Sequence, residues 1–196
     1  MATQRTGIAG ANALGEGREI VVQVSQDSGA PAEAVYDLLA DLRSHLEWAG
    51  ERQKKRSRLL SIEAPECPAM IGTEFRSSGA DPMGRFTDAS VVTEADRPRL
   101  FEFVTEAHLE TKKGKGVEWT GIHRYEITPA GDGCRISCTD RVVRISALPG
   151  MLLVFKTPGL SAIARKVAAG VARQGLKNLA RLAESGSAGD AAPGGP

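Results

Sequence analysis

The run "EWTGIHRYEIT" (118–128) sets an imidazole and a phenol two residues apart, at His123 and Tyr125. In an extended strand residues i and i+2 point to the same face. The two groups would then stand side by side as an acid–base pair. A second run, "CRISCTDRVVRI" (134–145), places Asp140 in the row Ile136, Cys138, Asp140, Val142, a carboxylate in an otherwise apolar file. Turned toward His123, Asp140 could orient the ring or hold a ligand hydroxyl. These three are the candidates for catalysis, and their types alone assign no reaction. The plainer account is that Tyr125 is core with its hydroxyl at the rim, and His123 a core histidine with satisfied nitrogens.

Other chemistries find less support. His45 stands near the end of the first helix, where a positive charge is favoured, so capping is its expected role. His108 has outward parity and should face water. The three histidines show neither H-x-H nor H-x-x-x-H spacing, no carboxylate cluster accompanies them, and no metal site is expected. No G-x-S-x-G elbow occurs. The glycines of "GIAGANALGEG" follow no strand and precede no Gly-Lys-Ser/Thr, so no phosphate loop or other cofactor motif is expected. Cys134 and Cys138 on one strand would lie about 13 Å apart, too far for a disulfide or a shared zinc ion. With no helix N-terminus beside them to stabilise a thiolate, they read as small buried residues. Together with Cys67 they fit a reducing compartment.

The elements that position these residues follow from hydrophobic period. "REIVVQVSQ" alternates as a strand with Ile20, Val22 and Val24 on one face. "APAEAVYDLLADLRSHLEW" (30–48) then reads as one amphipathic helix. Pro31 sits in its first turn, Val35, Leu38, Leu39, Leu42 and Leu46 form its stripe, and Gly50 ends it. Residues 54–62, 71–77, 86–95, 100–107, 117–128 and 134–145 are strand candidates. Turn clusters such as "GADPMG", "ADRP", "KKGKG" and "PAGDG" separate them, which implies an antiparallel meander. Alternation turns Phe101, Phe103 and Thr105 inward, with Trp119, Gly121, His123, Tyr125 and Ile127 on one face of the later strand. Residues 86–95 choose no face. Leu160 to Glu184 is a long helix whose apolar stripe is Leu160, Ala164, Val167, Ala168, Val171, Gly175, Leu179 and Leu182.

The order strand, helix, six strands, long helix is an α+β arrangement. It is carried by "VVQVSQDSGAPAEAVYDLLAD" with Trp48, "IGTEFR", "VVTEADRPRLFEF", "HRYEITPAGDGCRIS" and "GLKNLARLAE". In these pieces the chain resembles the START/Bet v 1-like (SRPBCC) superfamily, and within it the polyketide cyclase/dehydrase-like group, over Glu19 to Glu184. The resemblance implies a helix-grip fold, a curved antiparallel sheet wrapped around the long C-terminal helix with a hydrophobic cavity between them. Ala168, Ala172 and Gly175 on the helix support a cavity, because a solid core would favour larger residues there. The alternative is that Phe101 or Phe103 fills that space. Expected ligand contacts are Trp48, Phe75, Phe101, Phe103, Trp119, His123, Tyr125, Asp140, Val171 and Gly175.

The domain is expected at 18–185, with disordered tails at 1–17 and 186–196 where the chain is small, polar and rich in Gly and Pro. Twenty-five Lys and Arg oppose twenty-four Asp and Glu, a net charge of +1, so no global field draws nucleic acid. The basic run "ERQKKRSR" (51–58) lacks interleaved aromatics and reads as a solvated strand. With no apolar h-region near the start and no run of 18 apolar residues, neither a signal peptide nor a membrane span is expected, and a cytoplasmic location is the default. The apolar stretch "ALPGMLLVFKTPGL" (147–160) reads as a lid, as core packing, or as a patch for transient membrane contact. The expected function is binding of a polyketide- or lipid-like hydrophobic small molecule. The alternatives are an aromatase/cyclase or hydro-lyase, and a partner-binding module of the chaperone-activator kind that would use the convex sheet. The oligomeric state is left open.

Overall fold

The computed structural model describes residues 12–53, 57–148 and 160–190. Seven strands form one antiparallel sheet: β1 (Ile20–Ser28), β2 (Arg58–Glu63), β3 (Glu74–Ala80), β4 (Gly84–Asp96), β5 (Leu100–Thr111), β6 (Gly116–Ala130) and β7 (Gly133–Ile145). Their spatial order is β1-β7-β6-β5-β4-β3-β2. The meander from β3 to β7 runs through short turns, a longer connection joins β2 to β3, and β1 pairs along the edge of β7. Among the described residues two α-helices complete the fold, α1 (Ala32–Ala40) and the long α2 (Leu160–Asp190). α2 lies against β1, β7 and α1. The Glu184 carboxylate ties it to the end of β1 by accepting Gly29 N–H at 2.8 Å and the Ser28 hydroxyl at 3.1 Å. This is the helix-grip arrangement that the order of elements implies.

The first helix departs from expectation. Its stripe continues through Leu46, but the regular helix ends at Ala40. There the Asp41 side chain accepts Arg43 N–H at 3.2 Å and competes with the helical hydrogen bond. A 3₁₀ turn (Leu42–Ser44) and a π-helical turn (Leu46–Glu51) follow. The wider π turn carries Trp48, and π turns often mark functional sites.

Two apolar clusters share the concave face of the sheet. The larger gathers Val35, Tyr36, Leu39 and Leu42 from the α1 region with Phe75, Phe101, Phe103, Ile136, Leu176 and Leu179. The smaller gathers Leu14, Ile20, Leu109, Val117, Ile145 and Leu148, with Phe86 and Trp119 beside them. On α2 the buried row is Leu176, Leu179, Ala180 and Ala183, whereas Val167, expected in the stripe, is 67% exposed.

The tail boundaries also differ from those read in the sequence. Leu14 is buried, Ala13 N–H reaches the Ile145 carbonyl at 2.8 Å, and the Asn12 amide donates to the Val143 carbonyl at 3.1 Å. The chain from Asn12 therefore belongs to the fold. At the other end, α2 extends through 186–190.

The ambiguous strand has a physical cause. In β4, Phe86, Asp88, Ser90 and Val92 pair with inward residues of β5. The register then slips between Val92 and Glu94, and Ala95 takes the next inward place opposite Phe101. One extra residue, Thr93, reverses the alternation. The lid, packing and membrane readings of 147–160 turn on Met151, Leu152, Val154 and Phe155, which lie outside the described residues. Among the described residues no helix is long and apolar enough to cross a membrane.

Candidate functional site

The site forms where α2, the π-helical turn and the β6–β7 pair converge. Trp48, Tyr125, Val171 and Gly175 line a pocket of about 130 Å³, together with Ala49, Gln53, Ser57, Cys138, Ala172 and Leu176. Gly175 does permit a close approach, but by Trp48 and not by a sheet phenylalanine. A Cβ built on Gly175 would meet Trp48 Cζ3 at 3.7 Å. Trp48 itself meets Tyr125 edge-on, with ring centroids 6.3 Å apart.

Asn178, which sequence reasoning missed, fixes the π-helical turn. Its amide donates to the Trp48 carbonyl at 3.0 Å and to the Arg52 carbonyl at 2.9 Å, while its own oxygen accepts from Gln174 at 3.0 Å. A buried polar side chain on α2 thus supplies two partners to a turn whose carbonyls lack regular helical ones. Asn178→Leu is expected to lower unfolding free energy by about 2 kcal/mol, because buried carbonyls are left unpaired. It should also weaken binding of any pocket probe by letting Trp48 shift. Denaturant unfolding and a binding titration on the same variant check both effects.

The polar pair sits next to this pocket. Register places His123 opposite Asp140, and His123 Nδ1–H donates to Asp140 Oδ1 at 2.8 Å. That hydrogen bond fixes the tautomer and leaves Nε2 as the working nitrogen. Nε2 lies 3.3 Å from the position a Cβ of residue 121 would occupy, so Gly121 keeps it uncovered. The ring stacks on Phe103 at 4.8 Å between centroids. Burial disfavours its charged form, but the hydrogen bond and charge of Asp140 and the charge of Asp88 outweigh this and raise the His123 pKa above the ordinary histidine value.

Asp88 is a second residue the sequence did not offer, because the Thr93 bulge hid the face of β4. Its carboxylate accepts Ser77 N–H at 3.1 Å and the Ser77 hydroxyl at 2.8 Å, and burial raises its pKa. Cys138 links pocket to pair. Its thiol donates to Asp140 Oδ1 at 3.6 Å, and it lines the same pocket as Tyr125. Desolvation pushes both the Tyr125 and Cys138 pKa values well up, so both stay protonated and neither serves as an anionic nucleophile. The hydrogen-bonded series is Cys138–Asp140–His123, with Cys138 in the pocket wall beside Tyr125.

The remaining predicted contacts do not line the pocket, although Phe103 packs on His123 and Tyr125. Phe75, Phe101 and Phe103 are an edge-packed aromatic set in the larger cluster, with Phe101 against Tyr36 and Phe75 against Phe103. Trp119 shares the face of His123 but packs on Phe86 in the smaller cluster, 6.4 Å between centroids, away from the pocket. His45 is not a charged cap. It is 3% exposed and donates Nε2–H to the Leu39 carbonyl at 2.9 Å, so it satisfies the helix end as a neutral ring. His108 is half exposed, 4.0 Å from Glu118. Among the described residues no three His, Cys, Asp or Glu side chains stand close enough to hold a metal ion.

Trp48, in the pocket wall, is 4% exposed, yet among the described residues its Nε1–H has no hydrogen-bond partner. A buried donor left unmet costs about 1–3 kcal/mol.

Comparison with known proteins places this geometry in context. Residues 19–184 match the family model described as "Polyketide cyclase / dehydrase and lipid transport". No curated protein matches the sequence. Among solved structures, the chain is similar to an uncharacterized protein from Rhizobium leguminosarum, with 14% identity, TM-score 0.60, and 86% of this chain and 96% of that one covered. It is similar to the Bet v 1-like Ara h 8.0201, with 12% identity, TM-score 0.54 and coverage of 86% and 99%. It is also similar to DynU16, a protein in the dynemicin biosynthetic locus, with 18% identity, TM-score 0.50 and coverage of 85% of this chain and 48% of that one. At these identities the structural likeness establishes the fold alone.

Proposed function

Because the chain belongs to the polyketide cyclase/dehydrase and lipid-transport family, whose fold suggests hydrophobic ligand binding, we propose that it binds a polyketide- or lipid-like small molecule in the pocket beneath α2. The observation that carries this is the pocket itself, about 130 Å³ walled by Trp48, Val171, Ala172, Gly175 and Leu176. An engineered apolar cavity of about 150 Å³ takes up benzene, whereas drug-sized ligands use about 300–1,000 Å³. The described pocket therefore accepts roughly one ring, or one end of a longer molecule.

Gly175→Leu tests the reading. The new side chain must extend past Trp48 into the empty volume. The fold should persist while affinity for a one-ring apolar probe falls at least tenfold, measured by calorimetric titration. If the space is already filled, overpacking should instead cost about 1–3 kcal/mol in the ligand-free protein, and that result counts against the pocket.

A second reading is favoured by one observation, the His123–Asp140 pair at 2.8 Å with Nε2 uncovered. An imidazole held by a carboxylate is the usual dress of a general base. On this reading the protein holds a folded polyketide-like chain and moves protons as an aromatase/cyclase or hydro-lyase. The pocket and the His123–Asp140 pair are compatible with either role, and only turnover separates them.

A further inference from the structure

His123 carries a nitrogen that no described residue uses. Its Nδ1–H is given to Asp140 at 2.8 Å, which leaves Nε2 of the neutral ring as an acceptor without a partner among the described residues. Thr105, the hydroxyl opposite Gly121 in register, is spent on Ser90 at 2.8 Å. Solutes can reach the ring, because the His123 side chain is 32% exposed.

Gly121 decides what reaches that nitrogen. A Cβ there would lie 3.3 Å from His123 Nε2, 3.8 Å from the Arg141 carbonyl oxygen and 3.9 Å from Trp119 Cδ1. The glycine thus leaves a notch between the imidazole and the indole edge, wide enough for one heavy atom close to hydrogen-bond reach of Nε2. Both polar atoms on its rim are acceptors. Its walls are braced from behind, by Phe103 stacked on His123 at 4.8 Å and by Phe86 edge-on to Trp119 at 6.4 Å. Gly121 adjoins the β6–β7 bulge, but its φ is not positive, so the backbone itself does not demand glycine. A mid-strand glycine without that excuse marks close approach by another group.

We infer that the notch seats the hydroxyl of a planar ligand, a phenol or an enol, which donates to His123 Nε2 while Trp119 walls the ring edge. A hydroxyl on a flat sp² carbon can project one oxygen between the two rings, whereas branches beside it would strike them. Gly121 and Trp119 are then the residues that select ligands for the His123–Asp140 pair. The inference rests on the second reading for His123 as the working group and does not need the pocket beneath α2. If proton transfer follows, the hydroxyl proton passes to Nε2 and leaves an enolate or phenolate beside an imidazolium whose other N–H stays on Asp140.

The test uses the full chain labelled with ¹⁵N at pH 8.5, to favour the neutral ring, and two probes of equal shape. Para-cresol and para-xylene differ by O–H against CH₃. Para-cresol should shift the His123 Nε2 signal and the Trp119 indole signal, the latter assigned by its loss in Trp119→Phe; para-xylene should leave His123 Nε2 unmoved. Gly121→Ala fills the seat with a methyl group, so para-cresol affinity should fall about tenfold or more and the Nε2 shift should vanish. Gly175→Leu, which fills the pocket beneath α2, should leave both shifts in place. If Gly121→Ala does not fold, the contrast between the two probes in wild type still decides. An unmoved Nε2 at saturating para-cresol, an equal response to both probes, or an undiminished shift in Gly121→Ala would overturn the inference. Para-cresol that moves only Trp48 and is lost in Gly175→Leu would refute the notch and leave the pocket standing. Binding at the notch with no turnover of any substrate would uphold the inference while removing the enzyme reading.

Discussion

Lowering the pH from 7 to 4 is expected to remove about 3 kcal/mol of stability through His45 alone. The ring is buried between Trp48, 4.8 Å away, and Phe103, 6.2 Å away between centroids. Burial lowers its pKa to about 4, a trend opposed by the Leu39 carbonyl and the charge of Asp41 and reinforced by His123. In the unfolded chain it titrates near the ordinary value of about 6.5. Between these values the unfolded state binds a proton that the folded state refuses, so stability rises with pH across the window and is lost as pH falls through it. The full separation of the two values is worth about 3.4 kcal/mol, and about 3 kcal/mol of it is lost by pH 4, where the native ring begins to take up the proton. His123 acts in the opposite sense. Its native pKa is raised, so its stabilisation is complete below about pH 6.5 and is lost as pH climbs through the native value. Denaturant unfolding at pH 7, 5.5 and 4 in wild type and His45→Gln isolates the first effect. The advantage of wild type over the variant should shrink by about 3 kcal/mol toward pH 4. A constant difference would mean that the imidazole is solvated in the native protein.

His45 also shows where sequence reading stops. Its place after an amphipathic stripe is visible in "DLLADLRSHLEW", but its burial depends on the chain leaving the α-helix at Asp41 and winding wider through Trp48. Hydrophobic period does not report a change of pitch that keeps the same stripe buried. The sheet was legible for the converse reason. Most strands of the meander bury one face, alternation marks it, and the turns between carry glycine, proline and aspartate; β2 at the sheet edge buries none. Where alternation broke, at Thr93, the sequence lost Asp88. The facing of His123, Tyr125 and Asp140 could be read because β6 and β7 run without a slip from Gly121 to Ala130. The bulge of β7 lies beyond them, between Arg144 and Val142. Strand parity orders residues across a face, however, and says little about distance along it. Trp119 has the parity of Tyr125, yet it belongs to the other apolar cluster. Asn178 gave no signal at all, since a polar residue among Leu176, Leu179 and Ala180 declares its partners only once the π-helical turn is in place.

Replacing His123 with Gln is expected to separate the two functional readings by the size of its effect. If the protein is an enzyme, Nε2 is the proton acceptor or donor, and turnover of a polyketide-like or aromatic substrate should fall by about 10² to 10⁴. Probe affinity should move little, because His123 lies outside the residues that line the pocket. Asp140→Asn should also slow turnover, since an amide can present its N–H to Nδ1 and leave the other tautomer at Nε2. It should lower the pH at which the activity limb appears, as removing the carboxylate removes the group that holds the imidazole pKa up. Tyr125→Phe removes a hydroxyl from the pocket wall, so its effect belongs to binding and rate together. If the protein is a carrier, the three substitutions should each alter affinity by no more than about tenfold, the worth of one neutral hydrogen bond, and no substrate in a broad panel should turn over even in wild type. Binding is best followed by Trp48 fluorescence in a Trp119→Phe background, because Trp48 lines the pocket and Trp119 does not. A pH–rate limb that persists unchanged in both His123→Gln and Asp140→Asn would remove the pair from the chemistry. The 2.8 Å contact would then be a structural cross-strand bond, and the pocket alone would carry the function.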